Sequence, residues 1–237
     1  MSQMPNKLNI LIDTNSLFHL SEVDIKEAPK GKRSKKPASW LWDYCNVYIC
    51  KTIRKEYERN LNKIVKNSDR TNAKETFRKL KERGKKTSTK FTTQIEKKIM
   101  SAYMPEEKLS DSDDQGERHL VCEAIEMVYF NKLPNCVIVS DDYSALTKFM
   151  ANAEADYPFG RIWNVLDFVV YLYFVRREVT HSQAQIAIRD LVALSSISAK
   201  KYKKQGCQTE VEARRAMLDE YFAKIDNIKQ VRDLLPR

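Results

Sequence analysis

Two short apolar runs in this chain each break off at an aspartate. KLNILID (7–13) ends in Asp13, and NCVIVS (135–140) is followed by Asp141 and Asp142. Both have the length and branched side chains of buried strands, and both lead into stretches of helical spacing. GRIWNVLDFVVYLYFV (160–175) supplies a third strand that runs into a helix. Strands alternating with helices call for crossover connections, and the sheet that results is parallel and covered by helices. The expected fold is α/β.

In open α/β sheets ligands bind outside the carboxyl ends of the strands. Asp13 and Asp141 stand at that edge. Alone, each reads as a turn residue or an N-cap; two in one chain favour function. A helix is expected over 115–131, with Val121, Ala124, Ile125 and Val128 as its apolar stripe, and Glu117 continues that stripe four residues earlier. A carboxylate turned toward the core is costly unless it is paired or metal-bound. A second helix is expected over 39–67, capped by Ser39, and places Glu56 on the face of Ile49 and Ile53. A snorkelling or salt-bridged glutamate is the alternative for Glu56. Asp111 and Asp113 read as loop acids ahead of a helix N-terminus, which welcomes negative charge.

Asp13, Glu56, Glu117 and Asp141 thus come from separate elements toward one end of a sheet. Clustered carboxylates repel one another and persist where a cation neutralises them. Hard oxygen ligands without His or Cys suit Mg²⁺ or Mn²⁺ rather than zinc. Such ions activate water and stabilise the charge on a phosphodiester in the transition state. His19, His119 and His181 show neither triad nor zinc spacing and receive no role.

The partner is expected to be a polyanion. Forty-two Lys and Arg face thirty-two Asp and Glu, a net charge of +10, and basic surfaces attract nucleic acid. Candidates for phosphate contact are Lys32, Arg33, Lys35 and Lys36 in a basic loop, Arg83, Lys85, Lys86 and Lys90 within the charged section 68–108, and the segment 200–204. Solvated surface charge is the alternative for each. Section 68–108 reads as helical on either side of Gly84. Trp40, Trp42, Tyr44 and Tyr48 lie at helical spacing and read as core. The C-terminal part looks purely helical, with capping-box spacing at Ser182 and Gln185 and at Thr209 and Glu212.

Five cysteines (Cys45, Cys50, Cys122, Cys136 and Cys207) are odd in number and lack CxxC spacing, which fits reduced thiols inside a cell. The N-terminal apolar run is too short for a signal peptide. VLDFVVYLYFV covers about half of what a bilayer span needs and contains Asp167. A soluble, cytoplasmic protein without membrane contact is expected.

Three of these stretches carry a resemblance. NILIDTNSL resembles the opening strand of PIN-domain nucleases, DQGERHLVCEAIE resembles the D-x-G-E segment and helix of one branch of that family, and VIVSDDYSAL resembles its strand ending in Ser/Thr-Asp-Asp. The resemblance implies a Rossmann-type α/β/α sandwich with a parallel central sheet over residues 1–175, carrying a charged helical insertion at about 68–108 and followed by a helical extension, 176–237. It implies acidic metal-site residues at Asp13, Glu117 and Asp141, with Glu56 as the helical glutamate. Asn15 and Ser140 match supporting polar residues, and Asp114 and Asp142 stand next to the site.

The expected function is a Mg²⁺- or Mn²⁺-dependent endonuclease acting on RNA foremost, with DNA as the other candidate. A toxin, a defence effector and a processing enzyme remain open, and the C-terminal helices could bind a regulatory protein or a second copy of the chain. A catalytically silent PIN-like module that binds RNA or protein is the alternative. A third reading, a phosphotransferase with an aspartyl nucleophile, needs a second acid two positions after the strand-end Asp, or an Asp at a central strand paired with Lys. Asn15 at that second position counts against the first version.

Overall fold

Five parallel strands form the centre of the computed structural model: β1 (Leu8–Ile12), β2 (Cys45–Ile49), β3 (Lys85–Lys86), β4 (Cys136–Val139) and β5 (Gly160–Trp163), in the order β3-β2-β1-β4-β5. Residues 7–25, 36–50, 53–59, 71–87, 89–103, 115–141, 150–194 and 206–234 are described. The helices are α1 (Thr14–Glu22), α2 (Pro37–Tyr44), α3 (53–59), α4 (Thr71–Arg83), α5 (Thr92–Tyr103), α6 (Gln115–Tyr129), α7 (Ala151–Asp156), α8 (Val165–Phe174), α9 (His181–Leu194) and α10 (Glu210–Leu234). The chain is therefore α/β, with helices flanking an all-parallel sheet as in a Rossmann-like sandwich. Among the described residues no helix is long and apolar enough to cross a membrane.

The central strands are apolar throughout because both of their faces are covered. All four residues of β4 are buried, as are Asn9, Ile10, Leu11 and Ile12 of β1. From β1 the chain steps outward to β2 and β3, then returns across the sheet to β4 and β5 on the other side. The direction of winding reverses between β1 and β4, and the crevice at such a reversal is where α/β folds bind ligands. Register there is set by Ile10↔Val137, Leu11↔Ile138 and Ile12↔Val139. Asp13 and Ser140 are thus the first residues past the paired segment.

The 39–67 helix is a correction. The structure ends α2 at Tyr44 and turns residues 45–49 into β2, so Tyr48 lies on a strand and not on a helix face shared with Trp40 and Trp42. In CNVYI the apolar Cys45 and Val47 are buried and Asn46 and Tyr48 half-buried, an alternation of period two that short stretches share with helical spacing. Four paired positions with β1 decide the matter. Ser39 is not the cap either, since α2 begins at Pro37, whose fixed φ and missing N–H suit the first turn.

Section 68–108 is helical on both sides of Gly84 as expected, through α4 and α5, but it also supplies β3. That strand pairs Tyr48↔Lys85 and Ile49↔Lys86 and closes one edge of the sheet. The section is therefore part of the sheet's own construction, and exposed lysines on an edge strand discourage pairing with another chain. The helix expected over 115–131 ends at Tyr129.

The C-terminal helices pack onto the same core. Ile188, Leu191, Met217, Tyr221 and Ile225 join one continuous buried cluster with Ile10 and Leu172. Thr209 and Glu212 form the expected reciprocal cap, each backbone N–H meeting the other's side chain at 3.2 and 3.1 Å. The other capping box is shifted: Thr180 and Gln183 form it, at 2.9 and 3.2 Å, in place of Ser182 and Gln185. Helix α10 also pins the start of α8, where Tyr221 Oη accepts from Asn164 Nδ2 at 2.7 Å and donates to Asp167 at 3.2 Å.

Candidate active site

Asp13 follows β1 directly and caps α1. Its backbone N–H donates to Val139 O at 2.9 Å, which ties it to β4. Its Oδ2 accepts from the backbone N–H groups of Asn15 at 3.0 Å and Ser16 at 3.4 Å. The N-cap reading of Asp13 is therefore met, by one of its two carboxylate oxygens. The residue is 1 % exposed, and its second oxygen, Oδ1, is buried with no hydrogen-bond partner among the described residues.

Burial, then the charges of Glu117 and Glu56 and more weakly Asp141, push the Asp13 carboxyl up from 3.8 to about 8. Acids from α3, α6 and the end of β4 therefore all act on the one that follows β1. Glu56 arrives by a different route. Ile49 lies on β2, so Glu56 shares a helix with Ile53 alone, on the short α3. A Cβ at Gly116 would press on Ile53 Cδ1 at 3.3 Å and meet Glu56 Oε2 at 3.5 Å, an ordinary contact. The glycine lets α6 approach α3 closely, and the acids of both helices act on Asp13.

Asp141 is buried and well held. Its Oδ1 accepts from the Val165 N–H at 3.1 Å, at the start of α8, and its Oδ2 lies 2.7 Å from His19 Nδ1. His19 is thus part of the site. Nothing local marks it, because its partner is 122 positions away in the chain. Ser140 is fully buried next to Asp141, and Asn15 is exposed at the start of α1.

Three hydroxyls escape a reading of the sequence for acids. Thr14 Oγ1, Ser16 Oγ and Tyr57 Oη are buried and without hydrogen-bond partners among the described residues. Burial, with Asp13 and Glu56 nearby, pushes the Tyr57 hydroxyl well above its usual 10. Unsatisfied buried polar atoms are rare and costly. Asp13 Oδ1, with the Tyr57 hydroxyl near enough to feel the carboxylate's charge, fits a site shaped for a hydrated cation or a polar ligand. The donor set, oxygen throughout, is that of Mg²⁺ or Mn²⁺. Among the described residues no three His, Cys, Asp or Glu side chains are drawn together as a ready-made metal cage.

The remaining candidates scatter. Lys36 is engaged at the α1–α2 joint, with Nζ 3.1 Å from Ser21 O and 3.6 Å from Asp24 Oδ1. Lys85 donates to Asn46 Oδ1 at 3.0 Å and lies over the Tyr48 ring. Arg83, Lys86 and Lys90 are exposed. His119 and Arg118 bind the buried Glu96 at 3.1 and 2.8 Å, which ties α6 to α5. Asp111, Asp113, Asp114, Asp142, Lys32, Arg33, Lys35 and the segment 200–204 lie outside the described residues. Comparison of the chain with known protein families, with characterised proteins and with solved structures gives no significant match.

Proposed function

We propose that this chain is a metal-dependent endonuclease that hydrolyses phosphodiester bonds, in RNA foremost, with Asp13, Glu56, Glu117 and Asp141 as its site and a PIN-like sandwich as its frame. The observation that carries the reading is Asp13: buried, with one unpartnered oxygen, under the negative charge of three other acids at the reversal point of the sheet. Asp13, Glu117 and Asp141 would hold Mg²⁺ or Mn²⁺. Such an ion would offset charge on the phosphate oxygens and lower the pKa of a water, so that the deprotonated water can attack.

The chain's own groups do the rest. His19 and the Val165 N–H fix the Asp141 carboxylate in place. Glu56 and Glu117 are less buried than Asp13 and stand toward solvent, where a carboxylate can take a proton from water. The hydroxyls of Ser16 and Tyr57 are available to donate to a water or a phosphate oxygen. The excess of Lys and Arg draws a polyanion to the surface. A toxin, a defence effector and a processing enzyme all use such chemistry.

A second reading, a silent PIN-like module that binds RNA or protein, draws on Asp141, both of whose oxygens are engaged within the chain. Labelled single-stranded RNA, structured RNA and DNA, incubated with Mg²⁺, Mn²⁺ or EDTA, separate the two. Metal-dependent cutting lost in both Asp13→Asn and Glu117→Gln supports the nuclease. Absence of both cutting and metal binding in the wild type leaves the binding module.

A further inference from the structure

A groove of about 360 Å³ lies between α3, α4 and the end of β3. Ile49 and Lys86, the last residues of β2 and β3, place it at the same carboxyl edge of the sheet as the acids. Its floor is apolar, made by Ile49, Tyr57, Phe77 and Leu80, and the Tyr57 and Phe77 rings meet edge-on with centroids 4.9 Å apart. Gly84 lets the end of α4 press against this floor, since a Cβ there would run into Ile49 and the Leu80 carbonyl.

The rim is basic. Lys74, Arg78 and Lys81 form a row along one face of α4, and Lys86 faces them from β3. Successive members of such a row are about 5–6 Å apart, close to the repeat of phosphates along an extended strand. Glu58 is the one acid among the described lining residues, and it is already paired with Arg54 at 3.2 Å. Arg78 is paired with Glu82 at 2.7 Å, whereas no ion pair among the described residues engages Lys74, Lys81 or Lys86. An apolar floor inside a cationic rim matches a flat, uncharged ring carried on an anionic backbone.

Tyr57 joins the groove to the acid cluster. Its ring is part of the groove floor, while its hydroxyl is close enough to Asp13 and Glu56 to feel their charge. Strands in a sheet are about 4.8 Å apart, so β3 stands roughly 10 Å from β1 and Asp13. That is a step of one or two nucleotides. We propose that the groove takes one unpaired base of a single-stranded nucleic acid, that the α4 row and Lys86 hold the phosphates on either side of it, and that the strand continues from there to the acids. The path to the acids rests on the nuclease reading; the binding itself does not. A base held in a duplex cannot enter, so the groove selects single strands.

The full chain in EDTA is titrated with a labelled single-stranded RNA 12-mer, its duplex and the same 12-mer with one abasic position, across a salt series. A Lys74→Glu, Lys81→Glu double variant is run in parallel, with its melting curve as a fold check. The expected result is a Kd for the single strand raised about tenfold or more in the variant, with the salt slope reduced by about 1.4 for two lost contacts. The duplex and the abasic strand should bind the wild type more weakly than the intact strand. Equal binding by variant and wild type overturns the proposal, and so does equal binding of intact and abasic strands. A polyglutamate peptide whose binding is lost in the variant while RNA binding stays intact overturns it in favour of an acidic protein partner. Cleavage by the variant with KM unchanged sinks the groove and leaves the nuclease. Groove-dependent binding without cleavage under any metal does the reverse.

Discussion

Replacing Asp13 by Asn should make the metal-free protein more stable while destroying the activity proposed for it. The carboxyl rises from 3.8 in an ordinary setting to about 8 in the fold. Between those values the folded chain keeps a proton that the unfolded chain has released, so stability falls as pH rises through this window. At about 1.4 kcal/mol per pH unit, the stretch from 3.8 to neutrality amounts to about 4 kcal/mol, and relaxation of the site leaves roughly half. Asn keeps a carbonyl oxygen for the Asn15 and Ser16 N–H groups, and it caps helices as well as Asp does. The variant should therefore gain about 2–4 kcal/mol at neutral pH, or about 5–10 °C in Tm for a chain of this size. Melts in EDTA from about pH 4.5 to about pH 8 are the assay, with the gap between variant and wild type near zero at the acid end and largest at the alkaline end. A variant no more stable than wild type at the alkaline end, or a gap indifferent to pH, refutes the reasoning.

Other outcomes follow from the same site. Adding Mn²⁺ or Mg²⁺ at about a hundred times its Kd should stabilise the wild type by about 2.7 kcal/mol; a melt of Asp13→Asn should not respond, and an equal response would place the ion elsewhere. His19→Ala removes the partner of Asp141 Oδ2 and should cost about 1–3 kcal/mol together with metal affinity measured by calorimetry. His19→Gln, which can still donate, should recover part of both. Tyr57→Phe deletes a buried hydroxyl with no partner among the described residues and should raise the metal-free Tm by an amount worth about 1–3 kcal/mol; a fall in Tm would mean that the hydroxyl is satisfied in solution.

Much of the frame is legible in the chain because it rests on local signals. ILI in the first run and CVIV in the second are apolar on both faces, as central parallel strands are, and an aspartate follows each run within two residues. Thr209 and Glu212 announce their helix start by spacing alone. The acids at the strand ends and Glu117 could be picked out because a carboxylate continuing an apolar pattern is out of place wherever it occurs.

What local pattern left undecided, tertiary pairing settled. CNVYI fits a helix and a strand about equally over five residues, and only hydrogen bonds to β1 make it β2. That choice moved Glu56 from a long helix to α3 and brought it to Asp13 by the close approach of α3 to Gly116. The His19–Asp141 contact, the unpartnered Ser16 and Tyr57 hydroxyls and the basic-rimmed groove depend on residues far apart in sequence. No periodicity encodes them, because side-chain spacing along a chain reports which face a residue occupies and not what that face meets. The sequence by itself determined an α/β chain with acids at its strand ends; the packing of α1, α3 and α6 around those ends decided which groups share a site.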